Sequence, residues 1–202
     1  MEQGSAEWLA ARAGHVTASR LKDVLAKIKT GEAATRRTYR IQLVTERLTG
    51  LPQESYKNSA MEWGTATEPQ ARMAYEAATG RMVFEKGFLK HPELEWIGAS
   101  PDGLVDDLGG IEIKCPYNSA VHVETIMSKM PAEHVAQIQG CMWVTGRQWW
   151  DFVSFDPRMP AHLRLYVERV ARDPEYIDML ATEVSHFLDE VAATTKTLMD
   201  RA

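Results

Sequence analysis

The chain has 202 residues, 45% hydrophobic and 25% charged, with a formal net charge of −5, a balance that allows one folded domain with a substantial core. No apolar run is long enough to span a bilayer and no N-terminal signal-peptide pattern is present; the charge excludes indiscriminate coating of nucleic acid but permits a basic channel. Cys115 and Cys141 are too few for a four-cysteine iron–sulfur cluster and lack metal-site spacing, so free thiols in a reducing compartment are expected.

Ala6 to Ala13 reads as a short helix carrying Trp8, Leu9 and Arg12, broken by Gly14. Thr17 is placed to cap a second helix that begins around Arg20. Free N–H groups at that start, with the Ser19 hydroxyl and the Arg12 guanidinium, would make a phosphate site. An ordinary cap beside a surface arginine is the alternative. Lys27, Lys29, Arg36, Arg37 and Arg40 form a basic cluster around Gly31, either a solvated face or a contact for a DNA backbone. The helix they enter ends at Gly50, with Pro52 beyond. Thr67-Glu68-Pro69 predicts the start of another helix, which stops at Gly80.

Arg81 to Lys90 and Leu94 to Ala99 are strand candidates that lead into Ser100-Pro101-Asp102-Gly103-Leu104 and Gly110-Ile111-Glu112-Ile113-Lys114-Cys115-Pro116. Alternation along the second run puts Ile111 and Ile113 on one side and Glu112 and Lys114 on the other. Asp102, Glu112 and Lys114 can therefore converge. Two carboxylates there suit a hard cation such as Mg²⁺, and the lysine would orient a water molecule or, with a lowered pKa, take its proton. A hairpin with one buried face and one charged, solvated face is the alternative.

Ser119 to Met130 and Ala132 to Val144 read as helices, the second with His134, Gln137, Ile138 and Cys141 on one face. Gln148 to Phe155 is an aromatic-rich strand, and Leu163 to Val170 fits strand or helix. Asp173-Pro174-Glu175 starts a last helix whose stripe of Ile177, Leu180, Val184, Phe187, Leu188 and Val191 suits packing or subunit contact.

The motif Asp102-x9-Glu112-x-Lys114, with a proline before the aspartate, resembles the PD-(D/E)xK nuclease superfamily. Trp8-Leu9-Ala10-Ala11-Arg12 through Ser19, Trp63-Gly64-x3-Glu68, Ser100-Pro101-Asp102-Gly103-Leu104 and Glu112-Ile113-Lys114-Cys115-Pro116 together resemble the phage lambda exonuclease family. Ala136-Gln137-Ile138-Gln139, Met142-Trp143-Val144-Thr145 and Asp156-Pro157-Arg158-Met159 continue that resemblance in the same order. It implies an α/β restriction-endonuclease-like core, with a central mixed β-sheet flanked by helices in a single domain over 1–202. Within it, a helical N-terminal part reaches to about 80, a catalytic β core spans about 81–156, and a C-terminal helix spans about 173–200.

The same resemblance implies a Mg²⁺-dependent enzyme, with two cations per site and Mn²⁺ able to substitute. It would digest linear double-stranded DNA from phosphorylated 5′ ends to mononucleotides and leave 3′ overhangs. Homotrimeric rings and a single-strand annealing protein as partner are implied too, as is a phage or prophage origin with action in the bacterial cytoplasm. By resemblance, Asp102, Glu112 and the carbonyl of Ile113 hold metal, Lys114 serves the attacking water, and Glu68 and Gln137 support them. Arg12 and Ser19, with Thr17 and Ser100 beside them, form the 5′-phosphate pocket. Lys29 could track the duplex, and Met61 would be an apolar wedge unless it packs in the core. His134 departs from the family's tyrosine; its charge would add pH dependence near neutrality if it joins the site. A structure-selective endonuclease and a non-catalytic DNA-end clamp are the competing readings.

Overall fold

The alternating apolar runs become the middle of a five-stranded sheet. The computed structural model describes residues 3–53 and 58–201. Its main sheet has the order β2 (Val83–Phe84), β5 (Gly103–Val105), β6 (Gly109–Lys114), β7 (Trp149–Phe155) and β8 (Leu165–Ala171). β6 and β7 run parallel and the other neighbours antiparallel, which makes the sheet mixed, as the family resemblance implies. The ambiguous run after Leu163 is therefore the edge strand β8. Gly110 is required by packing: a Cβ there would lie 2.3 Å from the Trp150 ring.

A second, three-stranded sheet is built from β1 (Val16–Thr17), β4 (Ile97–Ala99) and β3 (Leu89–Lys90). Its parallel β1–β4 pair ties the N-terminal region, read as helical to about 80, to the strand that leads into Ser100 and Asp102.

Helices cover both faces of the main sheet. On one, Ala71 and Tyr75 of α4 (Ser59–Thr79) meet Ile111, Ile113 and Val153. On the other, Ile138 and Met142 of α6 (Val135–Thr145) pack with Trp150 and Phe152. α7 (Pro174–Met199) closes that layer against α3 (Ala34–Thr49), with Phe187 stacked 5.7 Å from Tyr39. Each large side chain so buried contributes about 1.5–3 kcal/mol. The Asp173 cap is as expected, its carboxylate accepting from the Tyr176 N–H at 3.0 Å. Ile177, Leu180, Val184, Phe187 and Val191 are all buried, so this stripe is a packing face within the chain.

Several expectations are corrected. α4 begins after Asn58, whose side chain accepts from Met61 N–H at 2.9 Å, so Thr67-Glu68-Pro69 lies inside a helix. Thr17 makes no side-chain cap, and the chain continues from it into a 3-10 turn (Ala18–Arg20) and the four-residue α2 (Leu21–Val24). That is too short to present a strong helix-terminal field. In the basic cluster, Arg36 and Arg40 bind Glu32, Arg36 also binds Glu190, and Lys27 binds Glu183. They brace α3 on α7, while Lys29 and Arg37 stay exposed. Among the described residues no helix is long and apolar enough to cross a membrane.

Candidate active site

β5 pairs with β6 only as far as Gly103 opposite Ile111, so the edge of β6 beyond it is open to the loop carrying Asp102. The Asp102 carboxylate fills that gap and accepts from the Ile113 N–H at 2.6 Å. In an extended strand the N–H and C=O of one residue leave on the same edge, so the Ile113 carbonyl faces the same way. Glu112 and Lys114 share the sheet face toward α6. There the Glu112 Oε1 accepts from the Lys114 ammonium and from Gln137 Nε2, the latter at 2.6 Å. Asp102, Glu112, Lys114 and Gln137 are thus brought together as expected, and the solvated-hairpin alternative fails because Glu112 is only 1% exposed.

Burial raises the pKa of Asp102 well above the ordinary carboxylate range, with the Glu112 charge adding to it and Lys114 opposing. Burial also raises Glu68, whose charge Arg72 offsets at 2.7 Å while Glu112 repels it. Three carboxylates therefore press on one region. Burial disfavours the Lys114 ammonium, yet Glu112 and Asp102 outweigh that and hold it above the usual lysine range. Lys114 is a cation and proton donor here, not a ready base.

The second Glu112 oxygen, Oε2, is buried with no hydrogen-bond partner among the described residues. An orphaned carboxylate oxygen beside a second acid is unfavourable unless a cation takes it. Among the described residues no three His, Cys, Asp or Glu side chains group closely enough to cage a metal. Glu68 is therefore felt by the pair rather than completing it. Two carboxylates and a carbonyl suit Mg²⁺, which keeps waters and takes oxygens from its substrate. Asp102, Glu112 and Ile113 fit that role. The thiols do not compete: burial, then Glu68, pushes Cys115 up to about 12, and burial lifts Cys141 well above its ordinary value.

Beside Lys114 opens a cavity of about 110 Å³ lined by Ser19, Lys22, Glu133, His134 and Gln137. Beside it α6 approaches the Ala18–Leu21 turn closely; a Cβ at Gly140 would lie 2.2 Å from Leu21 Cδ1. His134 stacks on Phe152 with ring centroids 5.2 Å apart. Burial, then the Lys114 charge, brings its pKa down to about 4, so it is neutral at neutral pH and the expected titration there is corrected.

Arg12 reaches Ser100, two residues before Asp102. Its Nη1 donates to Ser100 Oγ at 3.0 Å, Trp8 Nε1 donates to the same oxygen at 3.0 Å, and the guanidinium sits 3.9 Å from the Trp8 ring. Arg12 and Ser100 are thus joined, while Ser19 is on the cavity side. Thr17 is buried and touches Ser19 through its hydroxyl at 3.3 Å. Met61 is 49% exposed, so the core alternative for it fails. Lys29 is exposed in the loop before α3, and among the described residues no contact ties it to the site. Trp8 and Lys22 were not read as site residues. Their spacings, four before Arg12 and three after Ser19, were the available signals.

A model of the YqaJ-like viral recombinase domain matches residues 7–148. The chain belongs to the YqaJ-like viral recombinase family. This is the lambda-exonuclease-type membership that the ordered motifs implied. Among solved structures, this recombinase-family chain is similar to the alkaline exonuclease LHK-Exo of Laribacter hongkongensis, at 45% identity and a TM-score of 0.89. That match covers 98% of this chain and 97% of the other. LHK-Exo in complex with dAMP aligns at 46% identity and a TM-score of 0.91, with the same coverage. A phage-related exonuclease from Haemophilus somnus 129PT shares the fold at 19% identity, with a TM-score of 0.73 over 93% of this chain and 96% of that one. No curated protein matches.

Proposed function

We propose that this protein is a Mg²⁺-dependent exonuclease that hydrolyses one strand of linear double-stranded DNA from its 5′ end. The observation that carries this reading is the orphaned, buried Glu112 Oε2 beside Asp102, within a chain akin to an alkaline exonuclease. When bound by Asp102, Glu112 and the Ile113 carbonyl, Mg²⁺ would polarise the scissile phosphate and lower the pKa of water.

The rest is done by the chain's own groups. Lys114, kept as an ammonium by its acidic neighbours, holds the attacking water by donating to it and neutralises charge that builds on the phosphate oxygens. Gln137 fixes the Glu112 carboxylate so that one oxygen is tied and the other is free to face the cation. Arg12, steadied by Trp8 and Ser100, offers a planar pair of donors to a terminal phosphate. A grip on the 5′ phosphate one nucleotide from the water would make release of mononucleotides the natural register, leaving 3′ single strands. Mn²⁺, with similar oxygen preference, would substitute. By family kinship we also propose a homotrimeric ring, a single-strand annealing protein as partner, and work in the cytoplasm of a phage-infected bacterium.

Digestion of end-labelled duplexes bearing 5′-phosphate or 5′-hydroxyl ends, with Mg²⁺ or chelator and with closed circles alongside, tests the reading. Mg²⁺-dependent mononucleotide release from 5′-phosphate ends, with circles spared, is expected. Cut circles would turn the assignment to an endonuclease, and binding without hydrolysis in either cation would turn it to an end clamp.

A further inference from the structure

β6, which carries Glu112 and Lys114, leads into one aromatic ring, α4, which carries Glu68, bears another, and the two rings meet. Tyr117 follows Lys114 by three residues, within about 10 Å along the chain. Trp63 precedes Glu68 by five residues on α4, about 7.5 Å along the helix axis. Their ring centroids are 6.3 Å apart with planes at 82°, an edge-to-face pair.

The pair is fastened from behind by Arg158. Its guanidinium lies 4.4 Å from the Trp63 ring centroid and donates to the carbonyls of Pro116 at 3.1 Å and Tyr117 at 3.0 Å. Asp156, wholly buried, holds that guanidinium with two bonds of 2.8 Å. The backbone of Tyr117 and the ring of Trp63 are thus fixed, yet Tyr117 is 55% exposed. An exposed ring on a fixed backbone, three residues beyond Lys114 and edge-on to a fixed indole, is organised for a flat partner. The Arg158–Asp156 charges cancel, so the ledge favours a neutral π-face over a phosphate. It is distinct from Met61, which lies about 200° around the helix from Trp63.

We infer that Tyr117, braced by Trp63 and Arg158, is a stacking ledge for an unpaired nucleobase, taking up a base of the terminal pair as the duplex end opens. Base–aromatic stacking is indifferent to sequence, which suits an enzyme that degrades any end. This inference rests on the exonuclease reading above. The bound base replaces the stacking lost when the pair parts, so the ledge acts on the step after duplex binding.

The test compares Tyr117→Ala and Tyr117→Phe with the wild type on 5′-phosphorylated linear duplexes whose last three pairs are matched or mismatched, in Mg²⁺. On matched ends Tyr117→Ala is expected to lower kcat about tenfold, and Tyr117→Phe to stay within about twofold of wild type. On mismatched ends the base is free before binding, so the Tyr117→Ala loss should move from kcat to KM. Equal kcat losses on both ends, a Tyr117→Phe variant as slow as Tyr117→Ala, or no loss at all would overturn the ledge. So would a change in assembly mass by light scattering in Tyr117→Ala, which would assign the ring to contact between copies of the chain. An inactive wild type would instead sink the exonuclease reading on which the ledge stands.

Discussion

The Ile113 amide donates to the Asp102 carboxylate at 2.6 Å, so the two pieces of the acidic motif are joined through the backbone before any cation binds. Burial and the Glu112 charge nevertheless raise the Asp102 pKa, so ionising it is resisted by the fold. Because the folded pKa lies above the unfolded value near 3.9, stability is lost as pH rises from there through the raised folded value. Asp102→Asn keeps an acceptor for the Ile113 amide and removes the charge. In chelator at pH 8 the variant should melt about 3 °C above wild type, show no hydrolysis, and lose most of the Mg²⁺-induced rise in Tm. Differential scanning fluorimetry with a nuclease assay checks all three.

Lys114 separates catalysis from cation affinity. Its ammonium competes with a metal for the Glu112 charge while serving the reacting phosphate. Lys114→Ala should lower kcat by about 10²–10⁴-fold and yet enlarge the Tm gain from Mg²⁺ relative to wild type. A smaller gain, measured by the same melts, would mean that Lys114 supports metal binding instead.

The shared Ser100 oxygen makes the Arg12 grip testable by end chemistry. Burial lowers the Arg12 pKa, with Tyr39 and Glu46 working the other way, and a partly desolvated guanidinium pairs strongly with an anion. Arg12→Ala should weaken selection of 5′-phosphate over 5′-hydroxyl ends by about 10- to 100-fold, read as kcat/KM on each. Trp8→Leu, which removes the surface under the guanidinium and a donor to Ser100, should fall between that variant and wild type.

What could be read from the sequence was what local periodicity controls. Alternation across Ile111–Lys114 placed the acid and the lysine on one face, and the Asp173-Pro174 start and apolar stripe described α7 correctly. Thr67-Glu68-Pro69 misled because Pro69 removes only the bond to the exposed Thr65 carbonyl, which water can satisfy, so the helix runs through from Asn58. The two-residue strands β1 to β3 are too short to show any period. The fate of Arg36 was set by Glu190, 154 positions away. The cavity shared by Ser19 and His134 likewise joins segments far apart in the chain, which no local pattern encodes.

His134 offers a pH-dependent measurement. Its side chain is 17% exposed, stacked on Phe152 and close enough to Lys114 that burial and that charge bring its pKa to about 4. The unfolded value is near 6.5, so the unfolded chain binds the extra proton between those limits. The depressed pKa therefore leaves stability intact above pH 6.5 and removes it as pH falls toward 4, by on the order of 3 kcal/mol at the lower limit. His134→Gln cannot take that proton. Urea unfolding of the metal-free protein at pH 7.5 and pH 4.5 should show a difference between variant and wild type that shifts in the variant's favour on acidification. Both proteins should keep the same shape of rate profile between pH 7 and 8, where His134 is neutral. An inflection lost in the variant within that range would mean that His134 carries a proton during turnover.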